Sequence, residues 1–367
     1  MKLWQIGALV VAGLVLGEIR PGAFTDLFRS ATLYVFLPAL IFEAAWQLDA
    51  RLMRTAWRPI VLLALPGVAV TALIVAAAVH WLGGLALAPA LVLGAVLSAT
   101  DPVAVVAIFR RLSVPPLLAT IVESESLLND AVAVVAYRAI IGALLVSASL
   151  QAEVQVSAIA LLGTVAGIAC GVVLGYLGSF VLRRGIPTPV QIGVTFGVAY
   201  AAYFVSERFE WSGIFAVIAS AIVLRELERR YESVDVALGV ERAWHVAATL
   251  ANAGLFFLVG AAVETAHLWA VRELLLWTLA AVLVARVALA YGLLALAPPM
   301  ARSWRVVVRL AGVRGALSLA LALGIPAEIP QRATVVDATF MVVIFTVLVG
   351  ALTYERRIER LDLEPHA

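Results

Sequence analysis

Residues 87–109 read LAPALVLGAVLSATDPVAVVAIF, an apolar run of helical length with one carboxylate, Asp101, and one proline, Pro102, near its middle. Proline has no amide hydrogen and its ring clashes one turn back, so a helix breaks or kinks there. The break frees the carbonyl oxygen of Ser98, and it points the amino-terminal end of a half-helix toward Asp101. We therefore predict a discontinuous helix with a cation-attracting centre at Asp101. The plainer alternative is a kinked helix with a buried, hydrogen-bonded aspartate.

The composition identifies the solvent around this helix. The 367 residues are 63% hydrophobic and 14% charged, with a mean hydropathy of +1.04. Soluble domains carry about 25% charged residues, so this chain cannot cover its surface in water. The apolar content excludes disorder, the single cysteine excludes a disulfide scaffold, and the net charge of +2 gives no basic field for nucleic acid. An integral membrane protein remains.

The apolar stretches predict twelve membrane-spanning helices, because a bilayer core of ~30 Å needs about 20 residues per helix. Strands of a membrane barrel would be shorter and alternating. The first span follows a lysine as a signal peptide would, but no cleavage pattern follows it, so we interpret it as a retained helix. The predicted spans are Leu3–Gly17, Ser30–Trp46, Ile60–Leu82, Leu87–Phe109, Leu117–Val146, Val156–Leu182, Val190–Val205, Ser212–Leu224, Trp244–Val263, Leu274–Ala297, Leu310–Ile325 and Thr334–Tyr354.

The basic residues predict the orientation of these spans. Eighteen of the 26 Lys and Arg residues fall in the even-numbered connections and the two termini, and five fall in the odd-numbered connections. Cytoplasmic loops retain Lys and Arg. We therefore expect a multi-pass protein of the plasma (inner) membrane with both termini in the cytoplasm.

The fifth predicted span holds the deepest acid. Its residues 123–130 read ESESLLND, and helical spacing stacks Ser126 on Asp130. The same spacing stacks Glu125 on Asn129. At ~1.5 Å per residue, Asp130 lies ~18 Å from the cytoplasmic end, near the midplane. We expect a proton and a metal cation to compete for this carboxylate, which would couple their opposite fluxes. A static ion pair is the alternative.

Three arginines also lie inside predicted spans, one of them, Arg138, toward the outer end of the fifth. Arg286 is in the tenth span, and Arg314 is in the eleventh, between Gly312 and Gly315. Flanking glycines predict a second helix break, where the arginine offsets the negative ends of half-helices. The predicted orientation gives the fourth and eleventh spans opposite directions. Spans three to five and ten to twelve would thus be inverted-topology repeats, with a transport site where the two discontinuous helices cross.

Two motifs carry a resemblance to a known family. Residues 98–105 (SATDPVAV) and 125–130 (ESLLND) resemble the signatures of the NhaP/NHE-type monovalent cation/proton antiporters, the sodium/hydrogen exchanger family. The resemblance implies an all-α NhaA-like fold. Many members have thirteen spans, and the first span here corresponds to their second. Supporting matches are LIFEA at 40–44, SGIFA at 212–216, NAGLFF at 252–257 and GVRGA at 312–316.

The family fold divides into two domains. The resemblance implies a transport core, mainly residues 60–146 and 274–354, that moves against a dimerisation scaffold, mainly residues 1–46 and 156–263. A homodimer is therefore expected.

The resemblance implies the cation ligands residue by residue. Asp130 matches the aspartate that binds the ion and carries the proton. Asn129 matches the asparagine of the electroneutral branch, where electrogenic relatives have a second aspartate. Thr100, Asp101 and Ser126 match residues that ligate the cation directly, through a main-chain carbonyl or through water.

Three further charges acquire roles from the same resemblance. Glu125 matches a glutamate that pairs with Arg286, and Arg314 matches the compensating charge at the second crossover. We therefore expect an electroneutral antiporter, not an enzyme, that exchanges Na⁺ or Li⁺ for H⁺ across the lipid bilayer without a cofactor. Antiport of K⁺ for H⁺ on the same fold and a passive cation channel are the alternatives. A membrane enzyme is disfavoured because no His-Glu-x-x-His motif and no nucleophile–base pair lies near the buried acids.

Overall fold

The regular structure of the chain is helical throughout its described part. The computed structural model describes residues 3–20, 24–101, 103–112, 114–145, 150–184, 186–229, 234–262, 272–361 and 363. No strand occurs in these ranges. Pro102, the residue predicted to break the fourth span, lies outside them.

Sixteen α-helices lie in the described ranges, numbered below in chain order. A π-helical turn, Thr32–Phe36, joins the second helix to the third. A π-helical turn and a 3₁₀ turn, Ala288–Gly292 and Leu293–Leu296, continue the thirteenth. The helices are α1 (Leu3–Ile19), α2 (Thr25–Ala31), α3 (Leu37–Gln47), α4 (Ala50–Thr55), α5 (Trp57–Trp81), α6 (Leu87–Val96), α7 (Val103–Leu112), α8 (Pro116–Leu145), α9 (Leu150–Leu182), α10 (Thr188–Arg208), α11 (Gly213–Glu228), α12 (Val234–Ala261), α13 (Arg272–Val287), α14 (Arg302–Leu310), α15 (Ala316–Leu323) and α16 (Arg332–Ile358).

These helices match the predicted spans. Within the described ranges, each of the twelve spans coincides with one helix or with a consecutive pair. Six of them are long and apolar enough to cross a bilayer, judged by length and composition. They are α5, α8, α10, parts of α9 and α12, and α13 together with the two turns that continue it. The predicted class, an all-helical integral membrane protein, is confirmed.

Two membrane segments are discontinuous, as predicted. α6 ends at Val96, residues 97–101 are not helical, and α7 begins at Val103. Later in the chain, α14 ends at Leu310, residues 311–315 are not helical, and α15 begins at Ala316. Each break leaves main-chain groups without helical partners.

The second discontinuous segment begins earlier than predicted. The eleventh span was predicted to start at Leu310, whereas its first half-helix starts at Arg302. The half-helix was left out of the predicted span because its three arginines lower its mean hydropathy. The arginines recur at helical spacing, however, while Trp304, Val307 and Val308 are buried on the other face.

Contacts within the chain divide it into two compact units. Unit 1 comprises Met1–Arg29, Arg51–Ala148 and Phe256–Ala367, and unit 2 comprises Ser30–Ala50 and Ser149–Leu255. Both breaks belong to unit 1. The transport and dimerisation roles that the resemblance implies for parts of the chain stay predictions.

Unit 1 holds its discontinuous helices by close backbone packing. The long helix α5 packs against α6, α8 and α13, and α15 packs against α16 and α6. Gly94 of α6 lies against the carbonyl group of Ala72 in α5, where a Cβ atom would not fit. The half-helix α6 is therefore seated directly on the backbone of a continuous helix.

Unit 2 is built on a row of small residues. Along α9, Gly171 contacts the carbonyl of Ala216 in α11, and Gly167 contacts that of Ser212 at the start of the same helix. Small residues let helix backbones approach closely in a membrane, where apolar side chains gain nothing by leaving lipid. The glycines of α9 with this four-residue spacing are Gly163, Gly167, Gly171 and Gly175.

Candidate functional site

The two helix breaks of unit 1 meet through their main chains. The N–H group of Asp101 donates a hydrogen bond of 2.8 Å to the carbonyl oxygen of Val313. Gly315 lies directly against the Asp101 side chain, and a Cβ atom there would overlap the Cβ and Oδ2 atoms of the aspartate. The φ angle of Gly315 is −132°, which any residue can adopt. Glycine is therefore needed here for the close approach of Asp101 and not for its backbone conformation.

The polar stripe of α8 contacts the first break. The N–H group of Thr100, which has no helical acceptor in the unwound segment, donates a 3.2 Å hydrogen bond to Oδ1 of Asp130. The Ser126 hydroxyl donates to the carbonyl oxygen of Thr100, and the two side-chain hydroxyl oxygens are 3.3 Å apart. Asp130 and the unwound segment therefore form one oxygen-rich centre.

Asn129 links this centre to the neighbouring acid. Its Nδ2 atom donates to Oγ1 of Thr100 at 3.3 Å and to Oε1 of Glu125 at 3.4 Å. Its Oδ1 atom is buried without a hydrogen-bond partner among the described atoms. An unpartnered carbonyl oxygen can accept a cation or a water molecule.

The predicted partners Glu125 and Arg286 form a buried ion pair. Nη1 of Arg286 lies 2.9 Å from Oε1 of Glu125, and the two side chains are 3% and 1% exposed. Nη2 of Arg286 donates to the carbonyl oxygen of Val308, near the end of α14, at 3.0 Å. Gly312 makes room for this arginine, because a Cβ atom there would overlap the arginine side chain. The ion pair thus joins α8 and α13 to the second discontinuous segment.

Arg314 lies in the second break and is fully buried. Its N–H group donates to Oγ1 of Thr346 in α16 at 3.2 Å. Its guanidinium nitrogens have no hydrogen-bond partner among the described atoms. A buried cation of this kind offsets the negative ends of helices and nearby carboxylates.

The fold brings all the predicted site residues into unit 1. Thr100 and Asp101 come from the first break, Arg314 comes from the second, and the others project from α8 and α13. Thr346 was not among the predicted site residues, although a hydroxyl within an apolar helix is a signal in the sequence. The carbonyl groups of Val308 and Val313 were not predicted either, and they have no side-chain signal at all.

Oxygen atoms dominate the centre around Thr100. The contributors are the carboxylate of Asp130, the hydroxyl groups of Ser126 and Thr100, and the main-chain carbonyl of Thr100. Hard cations prefer such ligands, and carbonyl oxygens can replace part of the hydration shell of an alkali ion. The same carboxylate can accept a proton. The arrangement can therefore hold a small cation or a hydrogen ion.

Comparisons with known proteins agree with this geometry. A family model described as "Sodium/hydrogen exchanger, transmembrane" matches residues 2–356. The chain is 34% identical to the Na⁺/H⁺ antiporter ApNhaP of Aphanothece halophytica, over 97% of this chain and 69% of that protein. It is 30% identical to the Na⁺/H⁺ antiporter NhaH of Halobacillus aidingensis, over 97% of this chain and 91% of that protein.

A solved structure has the same fold. The sodium proton antiporter MjNhaP1 from Methanocaldococcus jannaschii matches with a TM-score of 0.82, covering 98% of this chain and 92% of that one at 19% identity. Together, the family model, the relatives and the crossing helix breaks lead to one assignment. The chain belongs to the sodium/hydrogen exchanger family of membrane antiporters.

Proposed function

We propose that this chain exchanges Na⁺, or Li⁺, for H⁺ across the membrane, with Asp130 as the carboxylate that both ions use in turn. The relatives described above are named as Na⁺/H⁺ antiporters. The observation that carries the proposal is the contact between Asp130 and the N–H group of Thr100 in the unwound segment. This contact puts the acid beside freed main-chain groups.

Competition between the cation and the proton for the Asp130 carboxylate couples their opposite movements. A cation at Asp130 would be held by oxygen atoms of Ser126 and Thr100, with Asp101 near enough to add charge or to hold a water molecule. Protonation of Asp130 removes the negative charge that attracts the cation. If the empty, charged site crosses the membrane slowly, each cation that moves one way requires a proton to move the other way.

The formal charges of the site favour one-for-one exchange. Glu125 and Arg286 cancel each other as an ion pair. Asp101 carries one negative charge and Arg314 carries one positive charge, so these two also cancel. The residue beside Asp130 is an asparagine and not a second acid. The carboxylate of Asp130 is then the single charge that changes in the cycle. The site carries the same charge with one Na⁺ as with one H⁺, so we expect the membrane potential not to drive exchange.

The location, orientation and assembly of the protein belong to the same proposal. We place the protein in the plasma membrane with both termini in the cytoplasm, from the distribution of its basic residues. The transport core would comprise mainly residues 60–146 and 274–354. A homodimer, held mainly by residues 1–46 and 156–263, would anchor this moving core.

Exchange by purified protein in liposomes tests the proposal. A trapped pH dye reports proton flux after addition of Na⁺, Li⁺ or K⁺, first with the voltage clamped by an ionophore and then with the clamp released. We expect Na⁺ and Li⁺ to move protons at rates that do not depend on the clamp. Asp130→Asn should abolish this flux, whereas Asp337→Asn, the same substitution on α16, should retain it.

Four outcomes would contradict parts of the proposal. Exchange that survives in Asp130→Asn would reject the site. A response to K⁺ alone would change the substrate. A rate that follows the voltage would reject one-for-one stoichiometry, and single-channel currents would replace antiport with a channel.

A further inference from the structure

Two adjacent residues, Gln331 and Arg332, bind the ends of α6 and α15 that lie farthest from the crossing. Oε1 of Gln331 accepts a 3.0 Å hydrogen bond from the N–H group of Ala86, the residue before α6. Arg332 donates from Nε to the carbonyl oxygen of Ile325 at 2.7 Å and from Nη2 to that of Leu323 at 3.2 Å. One short stretch of chain thus contacts both discontinuous helices.

The chemistry of each contact suits the helix end that it meets. The amino end of a helix presents N–H groups without partners, and an amide oxygen satisfies one of them. The carboxyl end presents free carbonyl groups and a partial negative charge, which the cation of Arg332 satisfies and offsets. A planar guanidinium can span two carbonyl oxygens, which the point charge of a lysine does less well.

The backbone at Gln331 is strained in order to make these contacts. Its φ angle is 54°, in the left-handed region that residues other than glycine seldom adopt. Such a conformation persists only where the surrounding contacts over-determine it. The side-chain hydrogen bonds of Gln331 and Arg332 are contacts of this kind.

Both residues stand at the start of α16, which begins at Arg332. The same helix accepts the N–H group of Arg314 through Thr346, fourteen residues or ~21 Å further along. α16 therefore holds the second discontinuous segment at its break and at its far end. Through Gln331, it also holds the far end of the first.

We propose that Gln331 and Arg332 act as a latch, a pair of positioning residues that keeps α6 and α15 in register so that the two breaks meet correctly. The inference rests on the proposed exchange function. Neither residue touches the cation centre. The latch acts on that centre through α6, because a shift of this half-helix moves Thr100 away from Asp130 and Asp101 away from Val313.

Hydrogen–deuterium exchange of the full-length protein tests the latch without reference to transport. Arg332→Ala should speed amide exchange in residues 87–101 as well as in residues 316–325, and Gln331→Ala should do the same in both segments. Each variant must therefore loosen the helix that it does not contact. Arg208→Ala, an exposed arginine at the end of α10, is the matched control and should change neither segment.

Transport kinetics give the second measurement. Support for a cation site from residues that do not bind the ion is worth about tenfold or more in affinity. We expect Arg332→Ala and Gln331→Ala each to raise the KM for Na⁺ about tenfold with a smaller change in maximal rate. The KM of Arg332→Lys should lie between that of Arg332→Ala and that of the unmodified protein. The double variant should be no worse than the poorer single variant, because the two residues act as one unit.

The outcomes separate the two proposals. Amide exchange that changes only in the helix contacted by the substituted residue, or an unchanged KM in both single variants, would overturn the latch. If the unmodified protein shows no Na⁺/H⁺ exchange, the proposed function fails. The hydrogen–deuterium result then decides the structural role of the latch by itself.

Discussion

The N–H group of Asp101 donates a 2.8 Å hydrogen bond to the carbonyl oxygen of Val313, and this bond joins the two helix breaks. Because both partners belong to the main chain, the bond does not depend on which side chains stand at positions 101 and 313. The side chains beside it are constrained instead. Gly315 leaves the space in which the Asp101 carboxylate lies.

Gly315→Ala should disrupt this crossing. The added methyl group would overlap the Asp101 side chain, and overpacking of this kind costs about 1–3 kcal/mol. We expect a lower melting temperature by tryptophan fluorescence and a loss of most Na⁺/H⁺ exchange. Gly193→Ala on α10 adds the same methyl group where no atom lies within 4 Å. It should exchange Na⁺ like the unmodified protein and be at least as stable. Normal exchange in Gly315→Ala would mean that Asp101 can move freely.

The buried ion pair predicts an asymmetry between single and double variants. Arg286→Ala leaves Glu125 buried without its cation, which costs ~3–5 kcal/mol. Arg286→Met combined with Glu125→Leu removes both charges and keeps the volume, so we expect it to recover much of the lost stability. Thermal unfolding of the unmodified protein and of the two variants measures this. If the double variant is less stable than Arg286→Ala, the pair contributes net stability that apolar packing cannot replace.

The discontinuities of the fold could be predicted because their causes are local. A proline within an apolar run and two glycines beside a buried arginine each favour a break in a helix. A proline alone is not sufficient, since Pro66 lies inside the continuous helix α5. The start of α14 could not be predicted from hydropathy, since its arginines lower the mean hydropathy of a half-helix whose other face is apolar and buried. The glycine spacing along α9 is visible in the sequence, but only the structure identifies α11 as its partner.

The site could be predicted in part, because some of its residues have a local signal in the sequence. Asp130, Ser126 and the motif around Thr100 are side chains in unusual positions, and such residues stand out in an apolar chain. The bond from Asp101 to the carbonyl of Val313 has no such signal, because every residue has a carbonyl group. The contact of Gln331 with Ala86 is equally invisible, since it depends on how two distant loops meet.

Asn129→Asp tests why a neutral residue stands beside Asp130. The asparagine donates hydrogen bonds to Thr100 and to Oε1 of Glu125, which is 3.4 Å away. An ionised aspartate cannot donate, and it would repel that carboxylate. We expect a lower melting temperature than in Asn129→Ala, which removes the donor without adding a charge. Equal stability of the two variants would show that Glu125 does not interact electrostatically with position 129.

Glu228 predicts a pH dependence of stability in unit 2. It is the last residue of α11, beyond the predicted span, and it is buried, with the Ser179 hydroxyl donating to its Oε1 atom at 2.8 Å. Burial raises the pKa of its carboxyl above the ordinary value of 4.5, against the opposing effects of this hydrogen bond and of Arg183. A raised pKa means that the folded state favours the protonated acid.

The sign of the effect follows from that preference. Stability is greatest where Glu228 is protonated, and it falls as the pH rises from 4.5 through the higher pKa of the folded protein. Glu228→Gln keeps the oxygen that accepts from Ser179 and cannot ionise. We expect it to match the unmodified protein in melting temperature near the acid end of this range and to exceed it at neutral and alkaline pH. Glu226→Gln, at a less buried acid on the same helix, serves as the control. Parallel curves of melting temperature against pH for Glu228→Gln and the unmodified protein would refute the prediction.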